Sequence, residues 1–451
     1  MSLYSPSTVF GDTIFALASA PGRGGVQVIR LSGPAAGPAL SALTGRSLPP
    51  ARRATLARLT GKDGEVFDQA LVLWFPAPDS FTGEDVAELH LHGGRAVLAA
   101  ASEALTGQGL RVAEPGEFSR RAFEAGKLDL TEAEAIADLV DAETAAQRRQ
   151  ALRQMEGALG ALYEGWRHRL VRALAHLEAD IDFPDEDLPH GLAPAVVPVL
   201  TGLYQEIGAH LADDHRGERL RDGFSIAILG APNAGKSSLL NALARRDAAI
   251  VSSTAGTTRD VIEVNLDLGG FPVILADTAG LRDAADEIER EGIRRALARA
   301  EKADLKLLVL DCSTWNIGDM AEATLALADG DALVVLNKRD LCTHVPSMVA
   351  GRTALAVSAA TGEGLAELLA AVQRIVGERL MPGAAPSLTR ARHRQALEDC
   401  RAALARALRA DLPELAAEDV RLAARALGRI TGRVDVEDLL DVIFRDFCIG
   451  K

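Results

Sequence analysis

Aromatic residues are scarce in this sequence, and long apolar runs are missing. Phe, Trp and Tyr make up 4% of the 451 residues, which argues against an extended platform for stacking nucleic-acid bases. No run of about 18 apolar residues is free of charge, so the sequence predicts no transmembrane helix. The N-terminus, MSLYSPSTVFGDTIF, lacks the basic and then apolar order of a signal peptide.

Cysteine is equally scarce, and the net charge is negative. The four cysteines (Cys312, Cys342, Cys400 and Cys448) show no paired spacing, which argues against a disulfide framework or a zinc site and predicts a reducing, cytoplasmic setting. The net charge of −14 excludes a simple nucleic-acid coat protein, because phosphate contacts need Lys and Arg. Binding of RNA would therefore need a local basic patch or the help of a partner.

The length predicts roughly three domains, and the composition changes along the chain. Residues 1–120 are predicted to form a mixed α/β domain, because Gly and Pro separate short apolar runs. Residues 121–216 carry Ala, Leu, Glu, Gln and Arg at helical spacing. In 217–380, apolar strands alternate with helices, as in a doubly wound parallel sheet. Residues 381–451 are again helical, so a nucleotide-binding domain is predicted to be inserted into a helical domain.

The most specific motif in the centre of the chain is GAPNAGKS at Gly230–Ser237. It fits the phosphate-binding loop that joins a strand to a helix. In such a loop, backbone N–H groups wrap phosphate oxygens, Lys236 neutralises the β- and γ-phosphates, and the hydroxyl of Ser237 holds Mg²⁺. A Gly-rich turn before a helix is the alternative interpretation of this motif taken alone.

Three further motifs each follow a predicted strand: DTAG at Asp277–Gly280, NKRD at Asn337–Asp340, and Ser358-Ala359, which fits the loop that backs the guanine O6. Asp277–Gly280 (DTAG) would approach Mg²⁺ through water and sense the γ-phosphate. Asp340, at the end of NKRD, can accept both N–H groups of guanine, which adenine does not offer. Each motif is weak alone, but together and in this order they predict a guanine-nucleotide site at the carboxyl ends of the strands. The predicted nucleotide contacts are Asn233, Ala234, Gly235, Lys236, Ser237, Ser238, Asp277, Thr278, Ala279, Gly280, Asn337, Lys338, Asp340, Ser358 and Ala359.

A switch segment is predicted between the first two motifs, in AGTTRD at Ala255–Asp260. Thr258 is assigned to Mg²⁺ and the γ-phosphate there. Leu281 stands where Ras-like switches carry the glutamine that orients water, so another group must take that role. The candidates are Asp286, Glu287, Glu289 and Glu291.

The positive charge that assists hydrolysis is a second open question. No arginine finger is identifiable from the sequence. A monovalent cation held by Asn233 and loop carbonyls is the alternative hypothesis.

Further motifs lie outside the central region. The N-terminal part carries PGRGGV at Pro21–Val26 and FTGED at Phe81–Asp85. GKLDL at Gly126–Leu130 precedes the first helical stretch, and the chain ends in FCIGK at Phe447–Lys451. With these motifs the chain resembles the tRNA modification GTPases of the MnmE (TrmE) family over essentially its whole length.

The resemblance implies a homodimer, formed through its N-terminal domain, that works with the FAD-dependent MnmG (GidA) protein. Together they would add an aminomethyl-type group to C5 of the wobble uridine of certain tRNAs. The one-carbon unit would come from a tetrahydrofolate derivative, as the 5-formyl or methylene form. The folate contacts implied are Arg30, Glu88, Lys127 and Lys451.

The resemblance also implies roles in the hydrolysis of GTP, with Mg²⁺ at Ser237 and Thr258. Potassium ligands fall on Asn233, Ser252, Thr254 and Thr257, with Thr254 acting through its backbone carbonyl. The implied catalytic groups are Glu289, which orients water, Thr258 and Lys236.

Several residues have a structural interpretation beside the functional one. Arg30 could form a surface salt bridge, and His90 with His92 could be a weak metal pair or a structural feature. Cys448 has either a chemical role or none. The basic stretch Arg390–Arg394 is either a phosphate contact or a solvated helix face, and the sequence favours the solvated face. Two rival functions are a ribosome-assembly GTPase that acts through RNA binding and a membrane-remodelling GTPase; the sequence shows neither an RNA-binding module nor a membrane anchor.

Overall fold

The computed structural model describes residues 11–182, 192–245, 263–277, 302–314, 324–326, 331–381, 383, 386–434, 437–445 and 447–450. The chain divides into two compact units. Unit 1 comprises residues 1–140, 153–204 and 396–451, and unit 2 comprises 141–152 and 205–395. The predicted domain bounds and the insertion of one domain into another remain predictions. Within the described ranges, no helix is long and apolar enough to cross a membrane.

Unit 1 contains a six-stranded sheet in the order β3-β4-β5-β2-β1-β6. Its strands are β1 (Ile14–Leu17), β2 (Gly24–Ser32), β3 (Thr55–Thr60), β4 (Val66–Phe75), β5 (Val86–Gly93) and β6 (Arg111–Val112). Neighbouring strands are antiparallel except for the parallel pair β1 and β6.

Side chains of β5 alternate between the two faces of this sheet. Ala87, Leu89 and Leu91 are buried in a core with apolar residues of the helices at Ala36–Thr44 and Arg95–Thr106. Glu88 and His90 therefore project from the opposite face, because successive strand residues point to opposite sides.

The helices, in chain order, account for much of the rest of both units. They are α1 (Ala36–Thr44), α2 (Arg95–Thr106), α3 (Glu117–Glu124), α4 (Leu130–Asp141), α5 (Ala145–Met155), α6 (Ala158–Asp182), α7 (Leu192–Leu211), α8 (Arg216–Asp222), α9 (Lys236–Ala244), α10 (Leu365–Leu380), α11 (Ala391–Ala407), α12 (Pro413–Thr431) and α13 (Glu437–Arg445). In unit 1, α6 and α12 pack along each other.

Local signals explain where two of these helices begin. The sequence TEAE at Thr131–Glu134 is typical of a capped helix start, but the capping residue is Asp129. Its carboxylate accepts from the Glu132 N–H at 2.9 Å, and the Glu132 carboxylate accepts from the Asp129 N–H at 2.8 Å. This reciprocal pair is a capping box, which satisfies two helix N–H groups. Helix α12 begins instead with Pro413 in its first turn, where a missing N–H costs nothing.

Helix α7 differs from the sequence-based expectation. The sequence predicts a helix from about Val197 to His215 with Pro198 in its first turn, where proline is tolerated, and this placement is wrong. The helix begins at Leu192 and carries Pro198 in its interior. Pro194 occupies the first turn instead, where the N–H that proline lacks has no helical partner.

Unit 2 contains a seven-stranded sheet in the order β12-β13-β11-β10-β7-β9-β8. Its strands are β7 (Phe224–Gly230), β8 (Glu263–Leu268), β9 (Phe271–Asp277), β10 (Leu305–Asp311), β11 (Ala332–Asn337), β12 (Met348–Val349) and β13 (Arg352–Ala356). The five strands from β13 to β9 are parallel, and β12 and β8 are antiparallel edges. The predicted apolar strands form this mostly parallel sheet, and among the described residues α9 follows β7 and α10 follows β13.

Candidate functional sites

The predicted phosphate loop joins β7 to α9. Its last residue before the helix, Gly235, has φ 90°, and Asn233 also has a positive φ, 67°. A Cβ on Gly235 would lie 2.2 Å from Nδ2 of Asn337. Position 235 therefore requires glycine for two reasons: its positive φ and the close approach of the Asn337 side chain.

Lys236 lies in the first turn of α9, directly after the loop. It is 8% exposed, and its Nζ donates to the carbonyl oxygens of Gly230 at 2.9 Å and Ala231 at 3.0 Å. Ser237 follows it, at the helix end where backbone N–H groups and the helix dipole favour an anion. The ammonium group is thus held over the loop, as binding of phosphate requires.

Asn337 connects three loops at the carboxyl edge of the sheet. It is 2% exposed. Its Nδ2 donates to the carbonyl oxygen of Ala234 at 2.9 Å, and its Oδ1 accepts from the N–H of Ala359 at 3.1 Å. The sequence predicted all three residues as nucleotide contacts. The structure brings them together and gives the Asn337 side chain the task of fixing the loops to each other.

Asp340 is exposed and lies in the short 3₁₀ helix Arg339–Leu341. The buried hydroxyl of Ser358 donates to Oδ1 of Asp340 at 2.5 Å. Ser358 is fixed in turn, because its N–H donates to the carbonyl of Glu363 at 2.9 Å and its Oγ accepts from the N–H of Thr361 at 3.1 Å. The carboxylate that is expected to select guanine therefore has a defined orientation.

One residue at this edge was missed by the sequence analysis. Asp311 ends β10, and its Oδ2 accepts from Nζ of Lys338 at 2.6 Å. Burial raises the pKa of Asp311, but hydrogen bonds from Lys338 and Ser313 outweigh this effect, so its pKa lies below the usual range. Its position could have indicated a role, because Asp311 ends a buried strand and the other nucleotide motifs also follow strands of this sheet.

Ser238, another predicted nucleotide contact, is exposed in the first turn of α9. Most of the remaining predicted nucleotide and metal residues lie outside the described ranges. For Asp277 only the backbone, at the end of β9, is described. The others are Ser252, Thr254, Thr257, Thr258, Thr278, Ala279, Gly280, Leu281, Asp286, Glu287, Glu289 and Glu291.

A second candidate site lies on the sheet of unit 1, at a cross-strand pair. Arg30 of β2 stands opposite Glu88 of β5. The Arg30 Nε donates to Oε1 of Glu88 at 3.0 Å, and Nη2 is 2.9 Å from the same oxygen. The Arg30 guanidinium also lies 5.6 Å from the ring centre of Phe81 and 5.9 Å from that of Phe118. With side chains 24% and 17% exposed, this is a half-buried pair with aromatic support, not a fully solvated salt bridge.

The neighbouring histidines are engaged by two different carboxylates. Nε2 of His90 is 3.4 Å from Oε2 of Glu88. Nδ1 of His92 lies 2.7 Å from Oδ1 of the buried Asp68, whose Oδ2 accepts the His92 N–H at 2.9 Å. Among the described residues, no group of three His, Cys, Asp or Glu could hold a metal ion. The structural interpretation of the pair is the one that fits.

The C-terminal tail lies near this second site. The carbonyl of Cys448 accepts from the N–H of Gly116 at 3.4 Å, and Ile449 pairs with Pro115. Gly450 lies so close to β1 that a Cβ there would be 2.2 Å from the carbonyl oxygen of Leu17. The side chain of Cys448 is exposed, and Lys451 lies outside the described residues.

Lys127 follows α3 in the chain and lies beside the same part of unit 1. It is exposed, and a Cβ on Gly83 would lie 3.4 Å from its Cε. Gly83 belongs to the FTGED motif that also supplies Phe81, the ring beneath Arg30. Three predicted folate residues, Arg30, Glu88 and Lys127, thus lie on or beside these elements of one unit.

The basic stretch at Arg390–Arg394 is not a solvated helix face, and that expectation is wrong. His393 is fully buried. The Arg394 guanidinium, on a side chain 12% exposed, bonds Asp213 at 2.7 Å and Glu218 at 3.2 Å. Arg394 is therefore already neutralised inside unit 2.

The arrangement in unit 2 defines the class of the protein. A parallel sheet carries the phosphate loop after β7, the asparagine and aspartate of the second loop after β11, and the serine loop after β13. Ligands bind at this edge of such sheets. The protein is a P-loop GTPase.

Comparison with known proteins gives the family. A family model described as "MnmE helical domain" matches residues 130–448, and one described as "GTP-binding protein TrmE N-terminus" matches residues 13–127. The tRNA modification GTPase MnmE of Paramagnetospirillum magneticum is 64% identical, covering 98% of this chain and 100% of that relative. That of Parvibaculum lavamentivorans is 61% identical, with the same shares covered. The chain belongs to the MnmE family of tRNA modification GTPases.

A solved structure is also similar in sequence to part of the chain. It is the G-domain of FeoB from Methanococcus jannaschii, which is 25% identical and covers 34% of this chain and 97% of its own. Its TM-score of 0.27 is too low for a structural argument.

Proposed function

We propose that this GTPase drives a complex that adds an aminomethyl-type group to C5 of the wobble uridine of certain tRNAs. The one-carbon unit would come from a tetrahydrofolate derivative, and the FAD-dependent MnmG (GidA) protein would be the partner. One observation carries the proposal: the chain holds a guanine-type nucleotide site and, in the region similar to the TrmE N-terminus, a second oriented carboxylate at Glu88. Since tRNA is the target, the cytoplasm is the proposed location.

The chemistry of Glu88 suits a pterin ring. The pterin of folate presents a ring N–H and an exocyclic amino group side by side, the same pattern that guanine offers. A carboxylate accepts both. Arg30 holds one oxygen of Glu88 through a charge-assisted hydrogen bond. Lys127, and Lys451 beyond the described residues, would add positive charge for the carboxylates of the ligand.

A homodimer formed by unit 1 is supported by apolar residues on the open face of its sheet. Leu56 and Leu71 are cross-strand neighbours and are 55% and 45% exposed. Leu71 stands opposite His90, on the face that carries Glu88. We propose a second copy of this chain as the occupant, because burying these side chains removes apolar area beside the ligand site.

In the nucleotide site, the described residues fit the metals that the family uses. Ser237 is exposed in the first turn of α9, and Asn233 is exposed in the phosphate loop. We propose that Ser237 and Thr258 hold Mg²⁺, and that Asn233, Ser252, Thr254 and Thr257 hold K⁺. The metals supply positive charge at the phosphates. Lys236 binds the phosphates, and Glu289 orients the water that attacks.

The nucleotide proposal is tested by GTP hydrolysis in potassium and in sodium at matched ionic strength. Stimulation by potassium that is lost in Asn233→Ala supports the cation site. Equal rates in the two salts would remove potassium from the mechanism and reopen the search for an arginine finger.

The folate proposal is tested by titrating 5-formyltetrahydrofolate into the full chain and into Arg30→Ala. The matched control is Arg58→Ala, which removes an exposed arginine from the edge strand β3 of the same sheet. We expect binding to fall in Arg30→Ala only. Absence of binding to the wild type, or equal binding by both variants, would show that the folate assignment is wrong.

A further inference from the structure

Asp311 is held from two sides at the nucleotide edge of unit 2. It stands opposite Asn337 in the parallel pairing of β10 and β11. Oδ1 accepts from the N–H of Ser313 at 2.9 Å and from its Oγ at 2.6 Å, while Oδ2 accepts from Nζ of Lys338 at 2.6 Å. Both oxygens are therefore engaged, and the loop after β10 fixes the direction in which the carboxylate points.

Lys338 lies between the two side chains that define the nucleotide position. Asn337 before it is bonded to the phosphate loop, and Asp340 beyond it carries the carboxylate proposed for guanine. The backbone of Lys338 is left-handed, with φ 62°, and its side chain is 32% exposed. Lys338 therefore lies on the chain segment between the residue that holds the phosphate loop and the carboxylate proposed for the base. The methylene stem of a lysine offers apolar surface when its ammonium group is satisfied elsewhere.

We infer that Asp311 is a positioning residue for the guanine nucleotide. It anchors the ammonium group of Lys338, so that the stem stands ready as a wall for the base before the ligand arrives. This inference rests on the proposed guanine site at Asp340. A free lysine loses rotamer freedom when it is ordered, and an anchored one has already lost it, which corresponds to about tenfold in affinity.

The test is a double-mutant cycle on binding of GDP to the full chain. Asp311→Asn keeps an oxygen for Ser313 but puts the amide nitrogen, which donates and does not accept, toward the ammonium group of Lys338. Lys338→Met keeps an unbranched stem and removes the ammonium group. We expect Asp311→Asn to weaken GDP binding by about tenfold in the wild type and to have no further effect in Lys338→Met. In steady-state hydrolysis by Asp311→Asn, the KM for GTP should rise while kcat stays unchanged.

Glu378→Gln is the matched control. It makes the same chemical change in the exposed surface pair of Glu378 with Arg374, which are 3.0 Å apart. It should leave GDP affinity unchanged, and thermal unfolding of all variants shows whether they are folded.

Two outcomes would overturn the inference. In one, Asp311→Asn has no effect on GDP affinity; in the other, it has the same effect with and without the ammonium group, which would mean that Asp311 acts through the loop alone. Failure of the proposed guanine site is a different result, since the wild type would then bind ADP as well as GDP.

Discussion

The two units each present an oriented carboxylate, and they orient it in different ways. In unit 1, Glu88 lies on a strand and is clamped by the charged Arg30 of the neighbouring strand at 3.0 Å. In unit 2, Asp340 lies in the short 3₁₀ helix Arg339–Leu341 and is clamped by the neutral hydroxyl of Ser358 at 2.5 Å. The proposed ligands, a pterin and a guanine, offer the same pair of N–H groups. Under this proposal, one recognition problem would be met once on a sheet by an ion pair and once on connecting segments held by hydrogen bonds.

The difference has a physical consequence for each site. A charged clamp is about twice as strong as a neutral one, but it also withdraws charge from the carboxylate that must bind the ligand. A hydroxyl clamp leaves the charge of Asp340 available, but it depends on the loop around Ser358 staying in place. We therefore expect substitutions of the two carboxylates to reduce ligand affinity strongly in both units. Substitutions of Arg30 and Ser358 should reduce affinity by different amounts in the two units.

The largest expected effect is that of Asp340→Asn. The amide would oppose one N–H of guanine with its own N–H, so affinity for GDP should fall by about 100-fold. Affinity for xanthosine diphosphate, which has a carbonyl at that position, should rise. Competition with a fluorescent nucleotide measures both constants. Binding of 5-formyltetrahydrofolate should be as in the wild type, and a loss there would contradict the assignment of the two carboxylates to separate ligands.

Glu88→Gln is the equivalent change in unit 1 and should have a somewhat smaller effect. Affinity for 5-formyltetrahydrofolate should fall by about 30-fold, because one acceptor is replaced by a donor while the second oxygen still accepts from Arg30. Calorimetric titration of the full chain measures this change. GDP affinity serves as the internal control, and unchanged folate affinity would remove Glu88 from the ligand site.

The two clamps can be compared directly by removing each one. We expect Arg30→Ala to weaken folate binding by about tenfold and Ser358→Ala to weaken GDP binding by about fivefold, because the lost bond is charge-assisted only in the first case. Arg30→Lys should recover little, since lysine lacks the planar fork that meets Glu88. An effect of Ser358→Ala larger than that of Arg30→Ala would reverse the comparison, and the loop around Ser358 would then be the element to study.

The two sites also differ in what the sequence could reveal. The phosphate loop, Asn337 and Asp340 were predicted correctly as neighbours, because each follows a strand and the carboxyl ends of parallel strands meet at one edge. The ion pair of Arg30 and Glu88 joins residues 58 positions apart. Only the register of β2 against β5 makes them neighbours, and no local pattern encodes this register. The resemblance to a family named them, but the residues alone favoured a surface salt bridge.

Partners that face each other across strands were also missed in unit 2. The contact of Lys338 with Asp311 spans 27 positions, and it exists because β10 and β11 end together. The same limit explains Arg394, whose carboxylate partners lie 181 and 176 positions away. Composition predicted a basic surface there, since a charge run shows its partners only after the chain has folded. A capped start at Thr131 is wrong for a local reason, because the reciprocal bonds between Asp129 and Glu132 are seen only in the structure.

The smallest expected effect concerns the stability of the fold at low pH. Each unit contains a carboxylate whose lowered pKa makes stability depend on pH. Burial raises the pKa of Asp68, but hydrogen bonds from the side chain and backbone of His92 and from the backbone of Gln69 outweigh it, so its pKa lies below the usual range. The pKa of Asp311 is also lowered, because hydrogen bonds from Lys338 and Ser313 outweigh the effect of burial. A lowered folded pKa means that the stabilisation is complete above the unfolded pKa, about 3.9, and is lost as the pH falls through the folded value.

Asp68→Asn should therefore destabilise the protein by about 1 kcal/mol at pH 7, and the difference from the wild type should shrink below about pH 4. Thermal unfolding followed from pH 7 to pH 3 measures this trend. Asp63→Asn, a change at an exposed aspartate in the turn before β4, is the matched control and should show a smaller difference across the range. If Asp68→Asn kept a constant deficit down to pH 3, its effect would come from packing at the end of β4, and the ionised contact with His92 would contribute nothing to stability.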